Sequence, residues 1–267
     1  MIFFGKNFCE SYIIIMIDRI YVLNHLPSKD NPRYQERKKA QETQIKYLEQ
    51  FNIPVWYLNI NNDCNNFNVI ETINKERLHP VFGRNIILNH FYNSDSDEAL
   101  FLENDVLITK HTKENKNNPK IELSDLTIDM DYDVLYFDNC KFKDGAIKDY
   151  SLSKIVANNL INKSWGGAHI FKNFYKKYNQ KFFFNEEFAN RNLLLDDMEI
   201  AYRLIKAGMK RYLIINPFGY DLCGNSSLVK NSEERKEINL RSRQFIYQLH
   251  HDIAVNMLKN GTLQNRP

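Results

Sequence analysis

The sequence predicts an α/β fold built as a single domain, because strand-like and helix-like segments alternate along its first half. Two short apolar runs, Arg19–Asn24 and Pro54–Ile60, have the composition of strands. Between them, the charged segment Pro32–Phe51 carries an apolar stripe at helical spacing. The chain of 267 residues is long enough for one large domain with a proper core, and no repeat or Pro/Gly/Ser-rich linker divides it.

The rest of the chain continues with strands and helices of the same kinds. Ala99–Ile108 is the most strand-like run, whereas Asn61–Asn68 and Thr109–Lys120 have the polar composition of loops. The predicted helix Asp196–Ala207 is followed by Gly208, a residue suited to a C-terminal cap. Further helices are predicted at Val81–Tyr92 and Glu233–Asn260, and further strands at Asp133–Phe137, Trp165–Phe171 and Arg211–Ile215, the last ended by Asn216-Pro217.

Residues 1–16 are predicted to be an appendage to a domain that spans residues 17–267. Lys6, Asn7 and Glu10 interrupt the apolar residues there, whereas the apolar region of a secretory signal is continuous. The stretch is also too short to cross a membrane. The four cysteines are widely spaced without a CxxC pair, which disfavours zinc and disulfides and fits a reducing compartment. We therefore expect a cytoplasmic location and no transmembrane segment.

The composition and the absence of common motifs narrow the functional classes. The net charge of +3 is too small to indicate nucleic-acid binding by itself, although lysines are concentrated in Lys110–Lys120. The sequence contains no Walker, GxGxxG, GxSxG or HExxH motif, which argues against the common nucleotide hydrolases, dehydrogenases and serine hydrolases. The function therefore has to be sought in particular polar residues.

The first candidate site is Glu103-Asn104-Asp105, which lies between two apolar runs. In an extended strand Glu103 and Asp105 point to the same face, and two converging carboxylates repel each other unless a cation lies between them. Such a pair at a strand end suits Mn²⁺ or Mg²⁺, which prefer oxygen ligands. The alternative is a polar strand end, in which Asn104 and Asp105 open a turn and the next strand starts at Val106. The pattern leaves both interpretations open.

The second candidate site is Asp196-Asp197, at the start of a predicted helix. Asp196 suits the N-cap position, and Glu199 follows three residues later as in a capping box. Asp197 falls in the first helical turn, where its charge suits the helix dipole. A carboxylate at such a junction can also act as the general base for an acceptor hydroxyl, so a catalytic role for Asp197 or Asp196 stays open.

Two further groups of residues are candidates for binding a ligand. Gly167 allows close backbone approach, Trp165 can stack on a sugar and His169 suits a phosphate or a metal, and the alternative is a tight turn into a strand. Four residues lie at or after the carboxyl end of the first predicted strand, where open α/β sheets bind ligands, namely Asn24, His25, Arg33 and Arg37. An arginine there can hold a phosphate, and a solvated helix surface is the alternative.

Taken in chain order, these segments resemble glycosyltransferase family 25, which contains lipooligosaccharide and collagen galactosyltransferases. The family's opening strand Ile-Tyr-Val-Ile-Asn-Leu is similar to Ile20–His25, and an arginine in its next helix is matched by Arg33 or Arg37. The family's acidic triplet Glu-Asp-Asp is similar to Glu103–Asp105, and its Gly-Thr/Ala-His-Ala-Tyr segment is similar to Gly167–Phe171. Its later acidic residue is matched by Asp196-Asp197, and its strand ending in proline by Leu213–Pro217. The resemblance covers Asp18 to Ser227, and Asn104 departs from it by replacing the middle acid.

The resemblance implies a GT-A fold, a mixed central sheet flanked by helices, and a nucleotide-diphospho-sugar donor such as a UDP-sugar. It implies Mn²⁺ or Mg²⁺ held by Asp105 with Glu103, and Asp197, or Asp196, as the base that deprotonates a hydroxyl of a glycan, lipid-linked or protein acceptor. The donor is expected to contact Asn24, His25, Arg33, Arg37, Glu103, Asn104, Gly167 and His169. The donor-binding half is expected at about 17–140, the acceptor half at about 141–232 and a C-terminal helix at 233–260.

Two other functions stay open. A glycosyltransferase acting on modified bases of DNA would suit Lys110–Lys120, although a composition rich in lysine and asparagine also arises from AT-rich genomes, so a nucleic-acid partner is not favoured. The other function is binding of a nucleotide-sugar without catalysis. Asn104 is the one feature that favours it, and it stays open because a fold does not by itself establish an activity.

Overall fold

The computed structural model describes residues 17–75, 78–108, 132–141, 154–157, 168–221 and 232–251. The predicted appendage 1–16, the loop Thr109–Lys120, Trp165, Gly167 and the part of the last predicted helix beyond residue 251 lie outside these ranges. Within them the chain has an α/β fold, a mixed sheet flanked by helices, which confirms the predicted fold class. The division into a donor half and an acceptor half stays a prediction.

The strands and helices follow one another in the order that the sequence patterns predict, with additions. The strands are β1 (Arg19–His25), β2 (Val55–Ile60), β3 (Asn68–Ile73), β4 (Glu98–Glu103), β5 (Val106–Ile108), β6 (Val134–Lys141), β7 (Lys154–Ala157), β8 (Ala168–Lys172) and β9 (Arg211–Asp221). The helices are α1 (Tyr34–Leu48), α2 (Pro80–Tyr92), α3 (Phe174–Tyr178), α4 (Glu187–Asn190), α5 (Asp196–Lys206) and α6 (Ser232–Leu249). None of these described helices combines the length and apolar character that a membrane span requires.

The described strands form one mixed sheet in the order β3-β2-β1-β4-β8-β6-β9-β5, and β7 also pairs with β9. The first four strands, β1 to β4, run parallel to one another. β8 is antiparallel to both of its neighbours, β4 and β6, and β6 and β9 are parallel again. The ends of β1, β2 and β4 therefore meet along one side of the sheet, which we call the carboxyl edge, and this is where open α/β sheets bind ligands.

Side chains of the central strands point alternately to the two faces of the sheet. In β1, Ile20 and Val22 pack in one buried cluster with Tyr47 and Leu48 of α1. Residues of the opposite face, such as Tyr21, pack in a second cluster that contains α2, α5 and α6. The helices thus cover both faces, and their ends near the carboxyl edge bring polar residues to it.

Helix α2 lies unusually close to the sheet at Gly83. A Cβ atom added to Gly83 would be 2.6 Å from Cδ1 of Leu23 in β1 and 3.1 Å from Cδ1 of Ile60 in β2. No real side chain fits at that distance without displacing its neighbours. The missing side chain of Gly83 therefore allows the first turns of α2 to lie against the ends of β1 and β2, next to the carboxyl edge.

Strand β3 was not predicted, and β9 is longer than its sequence indicates. Polar and apolar residues are mixed in β3, which forms an edge of the sheet with its side chains exposed or half-buried, so no apolar run marks it. The prediction that a strand ends at Asn216-Pro217 is wrong, because β9 continues to Asp221. The register between β6 and β9 shifts after Phe137, and such an interruption tolerates a proline, which cannot donate a backbone hydrogen bond.

The predicted strand Ala99–Ile108 is two strands in the structure. β4 ends at Glu103, the chain turns at Asn104 and Asp105, and β5 begins at Val106 and pairs with β9. The interpretation of this segment as a strand end followed by a turn is therefore confirmed. The expectation that Glu103 and Asp105 share one face of a continuous strand is wrong.

Candidate active site

Arg84 of α2 joins the two candidate acidic segments at the carboxyl edge. Its Nη2 donates to Oε1 of Glu103, and its Nη1 donates to Oδ2 of Asp196, both at 2.6 Å. The arginine side chain is 13% exposed, so this bridge is largely withdrawn from water. Burial alone would lower the pKa of Arg84, but the two carboxylates outweigh that effect and raise it, so the guanidinium stays charged. Residues 103 and 196, which the sequence could only treat separately, thus belong to one site.

A second ion pair lies beside this bridge. Nη1 of Arg37, on α1, is 2.9 Å from Oδ2 of Asp105, and both side chains are buried. Arg33 instead lies at the start of α1 and pairs with Glu36 through a 3.0 Å contact in which both side chains are more exposed. Of the two arginines that the sequence proposed for a phosphate, Arg37 is the one that forms a buried ion pair with the acidic turn.

The turn between β4 and β5 is held from two sides. Nδ2 of buried Asn104 donates to the carbonyl oxygen of His25 at 2.8 Å, which ties the turn to the end of β1. Nε2 of Gln44, on α1, donates to the carbonyl oxygens of Glu103 and Val106 at 2.7 and 2.6 Å. An amide at position 104 therefore has a structural role that an ionised carboxylate, which has no donor, cannot fill.

The carboxyl edge provides only some of the ligands that a magnesium or manganese site needs. The described residues include no cluster of three His, Cys, Asp or Glu side chains that could hold a metal ion. The carboxylates of Glu103 and Asp105 are present, and each has an arginine as its partner. Mg²⁺ commonly binds proteins through one or two carboxylates and completes its shell with water and substrate phosphates. These two residues therefore fit a metal that arrives with a diphosphate, and the metal site stays a prediction.

Asn24 is the centre of a buried amide network at the carboxyl edge. Its Nδ2 donates to Oδ1 of Asn59 at 2.8 Å, and its Oδ1 accepts from Nε2 of Gln41 at 2.7 Å. Nδ2 of Asn62 donates to the backbone carbonyl oxygen of Asn24 at 2.8 Å. The network ties β1 to β2 and α1, so we assign Asn24 a structural role at the edge. Its predicted contact with a donor is not tested by this arrangement.

His25 ends β1 between the two ion pairs. Burial and, to a lesser extent, the nearby charge of Arg37 lower its pKa to about 4, and Glu103 opposes them weakly. Its Nε2 is buried without a hydrogen-bond partner among the described residues. The ring is therefore neutral at neutral pH. It lies at the carboxyl edge, where the nucleotide-sugar donor is predicted to bind.

His169 lies in the aromatic core rather than on the surface of the edge. It is 2% exposed, and its ring stacks on Phe101 with 5.1 Å between centroids. Burial, helped by Arg84, lowers its pKa well below the ordinary value, so the ring is neutral. Beside it, a cavity of about 20 Å³ lined by Tyr21 and Arg84 has room for about one water molecule. A nucleotide cannot enter this cavity and would have to lie over the edge instead.

The two adjacent aspartates at the start of α5 have different surroundings. Asp196 is buried and bound to Arg84, whereas Asp197 is half-buried in the same turn. Burial, and to a smaller extent the charge of Asp197, raise the pKa of Tyr136 against the opposing effect of Arg211. The predicted capping box is wrong, because the N-cap residue is Leu195 and no side chain caps the helix. Glu199 binds Arg203 instead, at 2.8 Å, from inside the helix. Of the two candidate bases, Asp196 is buried against Arg84, whereas Asp197 is more exposed and its charge also raises the pKa of Arg84.

Arg84 is the residue of this candidate site that sequence reasoning missed. Its signal was present, because Arg84 is the one lysine or arginine in α2, among mostly apolar residues. A charged group in such a helix needs a partner or solvent, and here α2 faces the core. Gly83, which precedes it, marks the same close approach to the sheet.

No protein-family model matches the chain, and neither does any curated protein sequence. Among solved structures, the chain is similar to TarS 1-349 of S. aureus, with 13% identity, a TM-score of 0.45, and coverage of 77% of this chain and 60% of that one. It is also similar to a glycosyltransferase involved in the glycosylation of the major capsid of PBCV-1, with 13% identity, a TM-score of 0.43, and coverage of 82% and 98%. A third is the inositol-1-phosphate CTP transferase of T. maritima, with 9% identity, a TM-score of 0.42, and coverage of 82% and 94%.

The chain thus spans 60% of the length of the TarS structure. All three similarities have TM-scores below 0.5 and identities of 13% or less. The function proposed for this chain therefore rests on its own residues at the carboxyl edge.

Proposed function

We propose that the chain is a metal-dependent glycosyltransferase of GT-A type that moves a sugar from a nucleotide-diphospho-sugar to an acceptor hydroxyl. The observation that carries the proposal is the bridge of Arg84 between Glu103 and Asp196. It lies at the edge of the sheet where open α/β folds bind ligands, and the ion pair of Arg37 and Asp105 lies beside it. The ordered resemblance of the sequence motifs to glycosyltransferase family 25 supports the same assignment.

The cationic groups at the edge suit a diphosphate. A leaving nucleoside diphosphate develops negative charge as the glycosidic bond breaks, and fixed positive groups stabilise that charge. Arg84 and Arg37 are held in place by their carboxylate partners, so the donor would not have to order them. Asp105 with Glu103 would hold Mn²⁺ or Mg²⁺, and such a metal neutralises phosphate charge when bound.

The acceptor hydroxyl needs a base, and Asp197 is our choice. It lies in the first turn of α5, next to Asp196, which Arg84 fixes. The carboxylate of Asp197 is half-buried, whereas that of Asp196 is buried, so Asp197 is the more accessible of the two to an attacking hydroxyl and the better placed to accept its proton. Asp196 then acts through Arg84, as a positioning residue.

The finer identity of the substrates follows from the resemblance alone. A UDP-hexose donor and an acceptor hydroxyl on a glycan, a lipooligosaccharide or a protein are the substrates that the family uses. The test therefore includes several nucleotide-sugar donors.

The test is release of free nucleotide from UDP-, GDP- and CDP-sugars with Mn²⁺ and then with EDTA. We expect slow release from one donor, lost on adding EDTA and lost in the Asp197→Asn variant. A Glu36→Ala variant, changed at an exposed side chain that pairs with Arg33 at the start of α1, should keep wild-type release. Silence across the panel, with no thermal shift from any nucleotide, would contradict the proposal. Release that persists in EDTA would contradict the metal dependence but would still support the transfer reaction.

A further inference from the structure

A second concave surface lies at the far end of α2 from Arg84. It is a groove of about 440 Å³ between the last turns of α2, the strands β2 and β3, and Arg19 at the start of β1. Small-molecule sites usually have volumes of roughly 300–1,000 Å³. Apart from Ile86, the residues of α2 and its C-cap that line the groove lie five to nine residues beyond Arg84, which is roughly 8–14 Å along the helix axis at about 1.5 Å per residue. The groove, which we call the α2–β3 groove, is therefore separate from the carboxyl edge.

The floor of the α2–β3 groove is apolar and firmly placed. Trp56, Ile70 and Ile86 are half-buried and pack on the main core. The Trp56 ring lies 4.6 Å from the ring of His90, centroid to centroid, and 5.9 Å from the guanidinium carbon of Arg19. An aromatic side chain held in this way offers contact area to a ligand at little further cost in conformational entropy.

The rim of the groove provides both hydrogen-bond donors and acceptors. Asn89 and Asn93 are exposed on α2, and Nδ2 of Asn93 donates to Oδ1 of Asn89 at 3.3 Å. Glu71 is exposed on β3 across from them and provides a carboxylate. Amides and a carboxylate beside an apolar floor suit a ligand that has hydroxyl groups around an apolar face.

The charges around the groove indicate a neutral ligand. Arg19, the one arginine or lysine that lines it, already forms an ion pair with Asp95. Burial, and then the charge of Arg19, lower the pKa of His90, so this ring carries no charge at neutral pH. Glu71 adds a negative charge. None of the residues that line the groove therefore offers a phosphate a cation without a carboxylate partner. The ammonium of Lys181 lies outside this lining, where its Nζ donates to Oδ1 of Asn93 at 3.1 Å.

We propose that the α2–β3 groove binds a neutral saccharide, with an apolar sugar face on Trp56 and sugar hydroxyls bound by Asn89, Asn93 and Glu71. Saccharide binding here needs neither a nucleotide donor nor a metal, so it goes beyond the proposed transfer reaction. Loss of one function would not imply loss of the other. A glycan acceptor long enough to reach both sites would be held at two points.

The test uses the intrinsic fluorescence of Trp56. The chain has two tryptophans, Trp56 and Trp165, so the Trp165→Phe variant reports on the groove alone. This variant is titrated, without nucleotide and in EDTA, with neutral mono- to tetrasaccharides of glucose, galactose and N-acetylglucosamine, and with UMP as an anionic probe. We expect a saturable change with at least one saccharide and none with UMP.

Variants at the rim decide where the saccharide binds. Asn89→Ala and Glu71→Ala should each weaken binding about tenfold, the effect of losing one hydrogen bond to the ligand. Asn65→Ala and Glu42→Ala remove exposed side chains of the same kinds outside the groove and should leave binding unchanged. The proposal is overturned if no saccharide of the series changes the fluorescence, if UMP binds instead, or if the rim variants bind as tightly as the controls.

Discussion

Arg37 and Asp105 form a buried ion pair that joins α1 to the turn after β4, with 2.9 Å between Nη1 and Oδ2. Removing one partner of a buried pair leaves the other charge buried without compensation, which typically costs about 3–5 kcal/mol. We expect Arg37→Ala to lower the free energy of unfolding by about that amount. Arg33→Ala, at a more exposed pair on the same helix, should change it by less than about 0.5 kcal/mol. Urea denaturation of both variants measures the difference, and equal effects would contradict the assignment of Arg37 to the edge.

Arg84 should not be replaceable by lysine. A guanidinium presents separate N–H groups to Glu103 and Asp196, whereas an ammonium is a single compact charge that cannot occupy both positions. We expect Arg84→Lys to lower the free energy of unfolding by about 2 kcal/mol and to weaken donor binding, measured by denaturation and by nucleotide titration. Arg191→Lys provides the control, because Arg191 pairs with Glu187 on the surface. An unchanged stability of Arg84→Lys would show that the bridge is not formed.

An acid at position 104 should destabilise the protein. The amide of Asn104 donates to the carbonyl oxygen of His25, and an aspartate would place a negative group against that oxygen. We expect Asn104→Asp to lower the free energy of unfolding by about 1–3 kcal/mol without raising activity. Nucleotide release and denaturation measured on the same preparation check both parts. A more active and equally stable variant would mean that Asn104 marks a lost metal ligand.

Substitutions of the two aspartates at the start of α5 should differ in their effects on transfer activity and on the free energy of unfolding. Asp197→Asn is expected to abolish transfer and to change the free energy of unfolding by less than about 1 kcal/mol. Asp196→Asn is expected to lower it by about 2 kcal/mol, because the charged hydrogen bond to Arg84 is weakened. Full activity in Asp197→Asn would transfer the role of base to another group. The measurements are single-turnover transfer and urea denaturation.

Stability should fall in mild acid partly through His25. Its pKa is about 4 in the folded protein against 6.5 ordinarily, so the unfolded chain binds more protons between these pH values. The stability that its neutral form contributes is complete above about pH 6.5 and is lost as the pH falls toward 4. His25→Gln should remove up to roughly 3 kcal/mol of this dependence, seen by denaturation at pH 7 and pH 4.5.

Local patterns predicted most of the fold but only part of the site. The strands and helices with apolar runs or helical periodicity were found because those signals lie within a few residues of one another. The turn at Asn104 and Asp105 was left open, because the apolar runs on both sides read equally well as one strand. The choice between Arg33 and Arg37 depended on which face of α1 meets the sheet, and the partnership of Arg84 with Glu103 and Asp196 depended on contacts between distant segments. No single-sequence pattern encodes such contacts.

The order of the strands bears on how the chain can be divided. β4 lies between β1 and β8, and β5 pairs with β9, so the predicted donor half at about 17–140 obtains hydrogen-bonding partners for its strands from the later half. A fragment ending near residue 140 would expose the ladder edge of β4 and leave β5 and β6 without β9. Such a fragment would tend to aggregate rather than fold, because unpaired edges recruit other strands. The predicted halves therefore share one sheet, and neither could be transplanted into another protein without the strands of the other.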